Sequence, residues 1–332
     1  RRYRIDHWQG VRIIRAPLWV PRQPGGLQRL LHLASFALSS LPSLLRAAAG
    51  RPDLIVVVEP ALFCAPAAWL AARLCGARAW LHIQDYEVDA AFDLGLLKGA
   101  WLRAAVRRAE RWLMRRFDRV STISGRMLDL ALYKGVDPAR AVLLPNWIDV
   151  EAIAPGRDGD LRAELGIPAD AVVALYSGNM GGKQGLQTLA EVARLLEQQG
   201  SLWFVFCGQG PERAPLQAQC QGLARVRFLD LQPAARLGAL LNTADIHLLP
   251  QRAGAADLVM PSKLTGMLAS GRPVVCGAAR GTELAGVVAH CGLVTPPEDA
   301  AAMAEAVRKL ANNAQIRETL GAAARSYALD HL

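Results

Sequence analysis

The sequence Val172-Val-Ala-Leu-Tyr-Ser-Gly-Asn-Met-Gly-Gly-Lys-Gln-Gly185 decides how the chain folds. It opens with an apolar run, which is typical of a parallel strand buried on both faces. The glycines that follow let backbone N–H groups approach a phosphate, and the N-terminus of the next helix favours negative charge. The GxxxxGK[ST] spacing is absent, so this is not a P-loop, and a plain tight turn is the alternative.

Similar short apolar runs alternate with helical stretches on both sides of this segment. Further strands are predicted at 54–58, 79–83, 119–123, 141–144, 202–207, 226–229, 246–249 and 273–276. Helices between buried strands indicate parallel sheets. We therefore predict an α/β fold with two doubly wound, Rossmann-like domains, residues 1–150 and 151–332, joined near the linker-like sequence Pro155–Asp160.

Composition excludes several classes of protein. The 332 residues are 52% hydrophobic and 20% charged, which excludes a disordered chain. The six cysteines contain no CxxC pair, which disfavours zinc and disulfide frameworks. The net charge is +9: residues 151–332 carry −1, and the first half, residues 1–150, carries +10, with 22 Lys and Arg against 12 Asp and Glu. That half should face an anionic partner, such as phospholipid, a phosphorylated acceptor or nucleic acid.

The basic charge is densest in a helix predicted over Lys98–Arg119, which holds eight Lys and Arg. Four arginines recur at a spacing of four residues and form a stripe along that helix. They are Arg103, Arg107, Arg111 and Arg115. The stripe predicts contact with an anionic membrane surface or a phosphorylated acceptor, and a solvated helix is the alternative. No motif supports nucleic acid as a partner.

An apolar segment precedes this helix. The stretch from Leu30 to Leu45 is uncharged but contains His32, Pro42 and several serines. It is too short to span a bilayer, although it could lie on one. The longer apolar segment Leu27–Ala49, with Arg29 and Arg46 near its ends, predicts either a core helix or, together with the basic helix, an interfacial patch.

Three further motifs lie at predicted strand ends or helix starts. Gly208-Gln-Gly210 lacks the third glycine of a dinucleotide fingerprint, so a strand-to-helix turn is the alternative. Met260-Pro-Ser-Lys263 opens a helix whose free N–H groups and lysine would hold a pyrophosphate, unless the helix is simply capped. His82-Ile-Gln-Asp85 ends a strand, where α/β sheets bind ligands, although a histidine there is often structural.

Several segments together resemble glycosyltransferase family 4, in the branch of colanic-acid and fucosamine transferases. The segments that carry the resemblance are Leu144–Asp149, Ser177–Gly185, Phe204–Pro211, Ala244–Gln251, Asp257–Leu264 and Leu268–Val275. The resemblance covers essentially the whole chain. It implies a GT-B fold, with two Rossmann-like domains facing a cleft, and it suggests that one N-terminal βαβ unit is missing before Arg1.

The resemblance also implies an activity. We expect a retaining glycosyltransferase that moves a sugar, fucose-type by analogy, from a UDP- or GDP-sugar to a polyprenyl-diphosphate-linked acceptor. It would need no metal or other cofactor and would sit peripherally on the inner face of the cell membrane. The first domain, residues 1–150, would face the acceptor and membrane, and the second, residues 151–332, would bind the nucleotide sugar.

The resemblance assigns roles to matching residues. The catalytic residues it implies are His82, Asp85, Lys183 and Lys263. The donor-binding residues it implies are Gly178, Asn179, Gly181, Gly208, Leu229, Leu231, Pro261, Ser262 and Leu264. Arg103, Arg107, Arg111 and Arg115 would meet the acceptor or the membrane.

This sequence departs from the family at several positions. Asn179 stands where many members carry Arg, and Gln184 stands where they carry Lys, with Lys183 one position away. The family's pair of glutamates falls at Leu258 and Gly266, so both carboxylates are absent. Two other functions therefore stay open, a GT-B-fold nucleotide-sugar epimerase and a catalytically inactive nucleotide- or lipid-binding relative.

Overall fold

The computed structural model describes residues 2–21, 26–59, 63–86, 100–156, 159–253 and 260–332. The chain forms two compact units, Arg1–Leu144 and Pro145–Leu332. This division precedes the predicted boundary at residues 150 and 151. The reason is that Ile148 and Val150 pack against the hydrophobic core of the second unit.

The first unit begins with a hairpin that the sequence did not predict. Strands β1 (Arg4–Trp8) and β2 (Val11–Arg15) pair antiparallel, with Trp8 opposite Val11 next to the turn. Helix α1 follows and runs from Gly26 to Ala49.

Helix α1 nearly coincides with the apolar segment Leu27–Ala49 and extends beyond the uncharged stretch Leu30–Leu45. Among the described residues it is the one helix whose length and composition would allow it to cross a membrane, over Leu30–Ala49. The expectation that this segment is too short to span a bilayer is therefore wrong on length alone, because the helix continues past Leu45 through Arg46 and three alanines.

A four-stranded parallel sheet forms the centre of the first unit. Its strands stand in chain order, β3 (Leu54–Glu59), β4 (Arg78–Ile83), β5 (Arg119–Thr122) and β6 (Ala141–Leu143). The connecting helices are α2 (Ala65–Cys75), α3 (Ala100–Met114) and α4 (Gly125–Tyr133). Leu81, Ile83 and Val120 are buried, as expected for strands covered by crossover helices.

The predicted basic helix is shorter than its charge pattern indicated. Helix α3 ends at Met114, and Arg119 already begins β5. The chain turns here because Phe117 is fully buried and the Asp118 carboxylate accepts a hydrogen bond of 2.8 Å from the Ala79 N–H in β4. Arg115 therefore lies beyond the helix.

The second unit holds a six-stranded parallel sheet. Its strands are β7 (Val172–Ser177), β8 (Leu202–Cys207), β9 (Val226–Leu229), β10 (Ile246–Leu249), β11 (Val274–Gly277) and β12 (Gly292–Thr295). They stand in the order β9-β8-β7-β10-β11-β12, which is the Rossmann order. The predicted α/β fold is confirmed, and β12 is the strand of this sheet that the sequence did not predict.

Eight helices of the second unit are described. They are α5 (Gly159–Glu164), α6 (Gln187–Leu195), α7 (Arg213–Gln219), α8 (Leu237–Thr243), α9 (Lys263–Ala269), α10 (Glu283–Cys291), α11 (Ala300–Ala311) and α12 (Ala314–His331). Helix α12 also binds residues 150–153, where the chain enters the second unit. The Arg325 guanidinium donates to the carbonyl oxygens of Val150, Ile153 and Ala269 at 2.8 to 2.9 Å.

Candidate functional site

The predicted donor site lies at the switch point of the second sheet, where strand order reverses between β7 and β10. The loops after β7 and β8 pack directly on each other. The Gly178 N–H donates to the Cys207 carbonyl at 3.0 Å, and the Met180 N–H donates to the Gln209 carbonyl at 2.9 Å. The carboxyl ends of β7 and β8 thus carry a double layer of backbone in which Gly178 is half-buried and Gly208 is buried.

Two glycines make this close packing possible. A Cβ atom at Gly208 would lie 1.9 Å from the carbonyl oxygen of Gly178. Gly178 and Gly208 also have φ angles of +138° and +150°, which side chains of L-residues rarely adopt. Both residues are therefore required by the backbone, whatever further role they have toward a ligand.

Lys263 lies against this double layer. Its Nζ donates to Gln184 Oε1 at 2.8 Å and stands 4.2 Å from the centroid of the Tyr176 ring. A Cβ atom at Gly178 would lie 3.3 Å from Lys263 Cδ, so the lysine stem follows the glycine backbone. The Tyr176 hydroxyl donates to the Asn179 carbonyl at 2.7 Å and fixes the loop below it.

The environment of Lys263 lowers the cost of losing its proton. Burial lowers the pKa of Lys263 to about 7. Burial also raises the pKa of the Tyr176 phenol, so the ring beneath the lysine is neutral. The amine therefore has an aromatic face and an uncharged amide as its described partners, and a bound anion would supply the charge complement that these lack.

Other donor-site predictions separate into accessible and inaccessible groups. Pro261 is half-buried and Ser262 is exposed, so both are accessible. The Leu264 assignment is wrong for the side chain and for the amide, because the side chain is buried in the core and the N–H donates to the Pro261 carbonyl at 3.0 Å. Leu229 is half-buried at the end of β9, and Leu231 is 64% exposed.

The structure describes the remaining predicted positions to different extents. Asn179 is exposed, and a Cβ atom at Gly181 would lie 3.3 Å from its amide nitrogen. Lys183 belongs to a short 3-10 helix, Gly182–Gln184, and its side chain lies outside the described residues. Leu258, where a family glutamate would stand, also lies outside them.

At the other glutamate position the structure explains the residue present. Gly266 is buried in α9, and a Cβ atom there would lie 3.0 Å from Leu241 Cδ1. A glutamate would therefore require the leucine to move. The packing of α8 against α9 is built around the absence of that side chain.

Two polar residues near the site were not assigned roles from the sequence. Gln184 meets Lys263 although 79 positions separate them along the chain. Arg252 donates to the Gly182 carbonyl at 3.2 Å and pairs with Glu298 at 3.4 Å. No short motif signals either contact, because both join distant loops.

In the first unit, His82 is the second-to-last residue of β4 and Asp85 comes two residues after that strand ends, at the predicted strand end. His82 is buried, its Nδ1 lies 2.8 Å from Ser121 Oγ, and its Nε2 lies 3.3 Å from Gln84 Nε2. Burial lowers the pKa of His82, so the ring is neutral. Asp85 is half-buried beside it. Their catalytic roles stay predictions.

A buried ion pair anchors the loop that carries Asp85. Lys134 Nζ and Glu110 Oε2 are 2.6 Å apart, and both side chains are 5% exposed. Lys134 Nζ also lies 4.4 Å from the centroid of the Tyr86 ring, whose hydroxyl donates to the Met127 carbonyl at 2.9 Å. Helices α3 and α4 thus hold the end of β4 in one position.

The predicted arginine stripe forms a surface with aromatic side chains. Arg111 lies 5.8 Å from the Tyr133 ring, and Arg115 donates to the Gly135 carbonyl at 3.1 Å. Trp101 is 82% exposed. The same face carries Arg107, which is half-buried, and Arg116, which is exposed, whereas Arg103 is half-buried and does not line it. We call this face the basic surface.

Within the described residues, no group of three His, Cys, Asp or Glu is placed to hold a metal ion.

Comparison with known proteins identifies this architecture. A family model described as a glycosyl transferase 4-like domain matches residues 1–147, and one described as glycosyl transferases group 1 matches residues 171–313. Sucrose-phosphate synthase from Thermosynechococcus elongatus has a similar fold, with a TM-score of 0.74 at 20% identity over 98% of this chain and 80% of its own. HepE of Anabaena, solved with UDP and glucose, gives a TM-score of 0.69 at 17% identity over 93% of this chain and 80% of its own.

Two Rossmann-like units with these matches define a glycosyltransferase of the GT-B class. In sequence, the chain is 45% identical over 278 residues to the colanic acid biosynthesis glycosyl transferase WcaI of Escherichia coli K12, covering 81% of this chain and 68% of that protein. It is 30% identical to a D-inositol 3-phosphate glycosyltransferase of Corynebacterium efficiens over 59% of this chain and 48% of that protein. The chain belongs to glycosyltransferase family 4, in the branch of WcaI.

Proposed function

We propose that the chain transfers a sugar, fucose-type by analogy, from a UDP- or GDP-sugar to a polyprenyl-diphosphate-linked acceptor, with retention at the anomeric carbon. Its membership in the family and its similarity to a colanic acid transferase support a role in polysaccharide biosynthesis. The observation that carries the donor assignment is Lys263, held with a neutral partner against the glycine loops.

Lys263 would act on the leaving group. As the bond between the anomeric carbon and the diphosphate breaks, negative charge grows on the diphosphate oxygens, and a cation in a partly dehydrated site stabilises that charge. The acceptor hydroxyl would attack from the face that the diphosphate leaves. Its oxygen would bond to the anomeric carbon, and its proton would pass to the departing phosphate.

The glycine loops would hold the same diphosphate from the other side. Gly178 and Gly181 are half-buried and would bring their backbone to the ligand, while Gly208 would support them by packing on the Gly178 carbonyl. Leu229 and Leu231 would border the nucleobase.

The acceptor and the membrane would be met by the basic surface. Arg107 and Arg111 line the same surface depression as the exposed indole of Trp101, a combination that suits an interface between lipid headgroups and acyl chains. We infer a peripheral position on the cytoplasmic face of the cell membrane, where nucleotide sugars and lipid-linked acceptors meet.

Calorimetry with UDP and with GDP, each titrated into the purified chain, tests the donor site. We expect one nucleotide to bind and Lys263→Ala to weaken that binding by more than about tenfold, as for loss of a charge-assisted hydrogen bond. Lys309→Ala, which removes an exposed lysine of α11, is the matched control. Equal binding by Lys263→Ala and wild type would remove the lysine from the donor site.

A transfer assay with the matching fucose-type donors follows. Release of the nucleotide diphosphate that requires a lipid-linked acceptor would support the proposal. Conversion of the donor sugar without any acceptor would instead indicate an epimerase.

A further inference from the structure

Exposed apolar side chains are concentrated at the start of the chain. Among the described residues, 24 large apolar side chains are exposed, and ten of them lie in the first 49 residues. They include Trp8 and Val11 in the β1–β2 hairpin, Trp19 in the segment that follows, and three leucines of α1. Soluble surfaces rarely gather so many, so this region marks an interaction surface.

The three leucines form one stripe along α1. Leu31, Leu38 and Leu45 recur every seven residues, which places them on one face of the helix, and they are 52%, 72% and 50% exposed. Two serines of the helix donate to its own carbonyls, Ser39 to Phe36 at 3.1 Å and Ser40 to Ala37 at 3.1 Å. Their hydroxyls are therefore satisfied without water, which suits an apolar medium.

One flank of α1, next to the leucine stripe, is tied to the protein. The Trp19 N–H donates to Ser35 Oγ at 3.0 Å, the Tyr3 hydroxyl donates to the Ser39 carbonyl, and α1 packs on α2. A helix that crosses a bilayer is surrounded by lipid on all sides, whereas one flank of α1 is held by hydrogen bonds to the N-terminal segment. A helix held in this way lies in the plane of an interface.

Charge distinguishes a lipid partner from a second copy of the chain. The first 49 residues hold eight arginines and a single carboxylate, Asp6. Two copies facing each other through this surface would bring like charges together, which disfavours a symmetric dimer. An anionic lipid surface complements the same arginines and accepts the indoles and leucines below the headgroups.

We propose that α1 and the β1–β2 hairpin form an in-plane anchor that inserts Leu31, Leu38 and Leu45 into the boundary between headgroups and acyl chains. The anchor rests on the membrane location proposed above and adds an apolar contribution to the electrostatic one of the basic surface. Because insertion is apolar, it should survive salt that screens the arginines.

Co-sedimentation with vesicles of three parts phosphatidylcholine to one part phosphatidylglycerol tests the anchor, at about 0.1 M and about 0.5 M NaCl. We expect wild type to bind at both salt concentrations. The variant Leu31→Ser/Leu38→Ser/Leu45→Ser should bind about 100-fold more weakly at high salt, since burying half of a leucine side chain is worth about fivefold. Leu195→Ser/Leu329→Ser, exposed leucines of the second unit, should bind like wild type.

Other variants separate the two contributions. Arg107→Glu/Arg111→Glu/Arg115→Glu should bind more weakly than wild type at low salt and like wild type at high salt, where the arginines are screened. Leu38→Trp should bind more tightly, and because it adds apolar surface its result does not depend on a loss. If the serine variant, still folded by circular dichroism, binds vesicles like wild type at high salt, the anchor is wrong while the membrane location stands. A lipid-free dimer that the serine variant dissociates would also overturn the anchor.

Discussion

Binding of a nucleoside diphosphate should draw a proton onto Lys263. Burial lowers the pKa of this lysine to about 7, and its described hydrogen-bond partner is the uncharged amide of Gln184. With that pKa, about half of the free protein carries a neutral amine at pH 7, about nine-tenths at pH 8 and about one-tenth at pH 6. A bound diphosphate favours the charged amine, so these fractions are the protons taken up at each pH.

The uptake also predicts how affinity changes with pH. Above pH 7 the free protein must gain a proton before the ion pair forms, so affinity for the diphosphate should fall about tenfold per pH unit. The free energy of unfolding also depends on pH through the protonation of Lys263. The folded pKa lies below the ordinary lysine value of 10.5, so the unfolded chain holds more protons above pH 7, and this group's contribution to the free energy of unfolding rises with pH over that range.

Calorimetric titration of UDP and GDP in buffers of different ionisation enthalpy measures the protons directly. The terminal phosphate of the nucleotide titrates with a pKa near 6, taking phosphate monoesters as a guide, and adds its own proton exchange. Lys263→Arg, which stays charged, corrects for that exchange. The wild type should take up about half a proton more than Lys263→Arg at pH 7. Equal proton uptake by the two proteins would refute the titration of Lys263.

Two further predictions concern stability. Gly208→Ala places a Cβ atom 1.9 Å from the Gly178 carbonyl oxygen and should lower the free energy of unfolding by more than about 3 kcal/mol. Gly222→Ala, at φ +86° with open space around it, should cost only about 1–2 kcal/mol, and equal losses in urea unfolding would contradict the packing argument. Lys134→Met removes the ion-pair partner of the buried Glu110 carboxylate and should cost about 3–5 kcal/mol. Adding Glu110→Gln should restore part of that loss in the same measurement, and no recovery would argue against a charge effect.

Much of the fold could be predicted because parallel strands that are buried on both faces have continuous apolar sequences. The run Leu202–Cys207 becomes a strand over the same residues. The hairpin was missed because its strands mix arginines with apolar residues and bury little. Helix α3 was predicted too long because its charge periodicity continues past Met114, where the buried Phe117 ends the helix.

The candidate site was predictable only in part. Local motifs located Lys263 and the glycine loops, since a strand followed by glycines or a helix start is visible in a short window. The contact between Lys263 and Gln184 depends on how β7 and β10 pair, which no local window contains. Leu264 shows the reverse error, because membership in a motif does not say which way a side chain points.

The hydrogen bonds from Arg325 to Val150 and Ile153 limit where chimeras between members of this family can be joined. The composition suggests joining two parent sequences near Pro155–Asp160. The carbonyls of Val150 and Ile153, however, accept hydrogen bonds from Arg325, more than 170 positions later in the chain. A chimera joined near Pro155–Asp160 would take Val150 and Ile153 from the other parent protein, although Arg325 of the second unit binds their carbonyls. The two units divide at the peptide bond between Leu144 and Pro145, so a chimera joined there would keep the contacts of Arg325 intact.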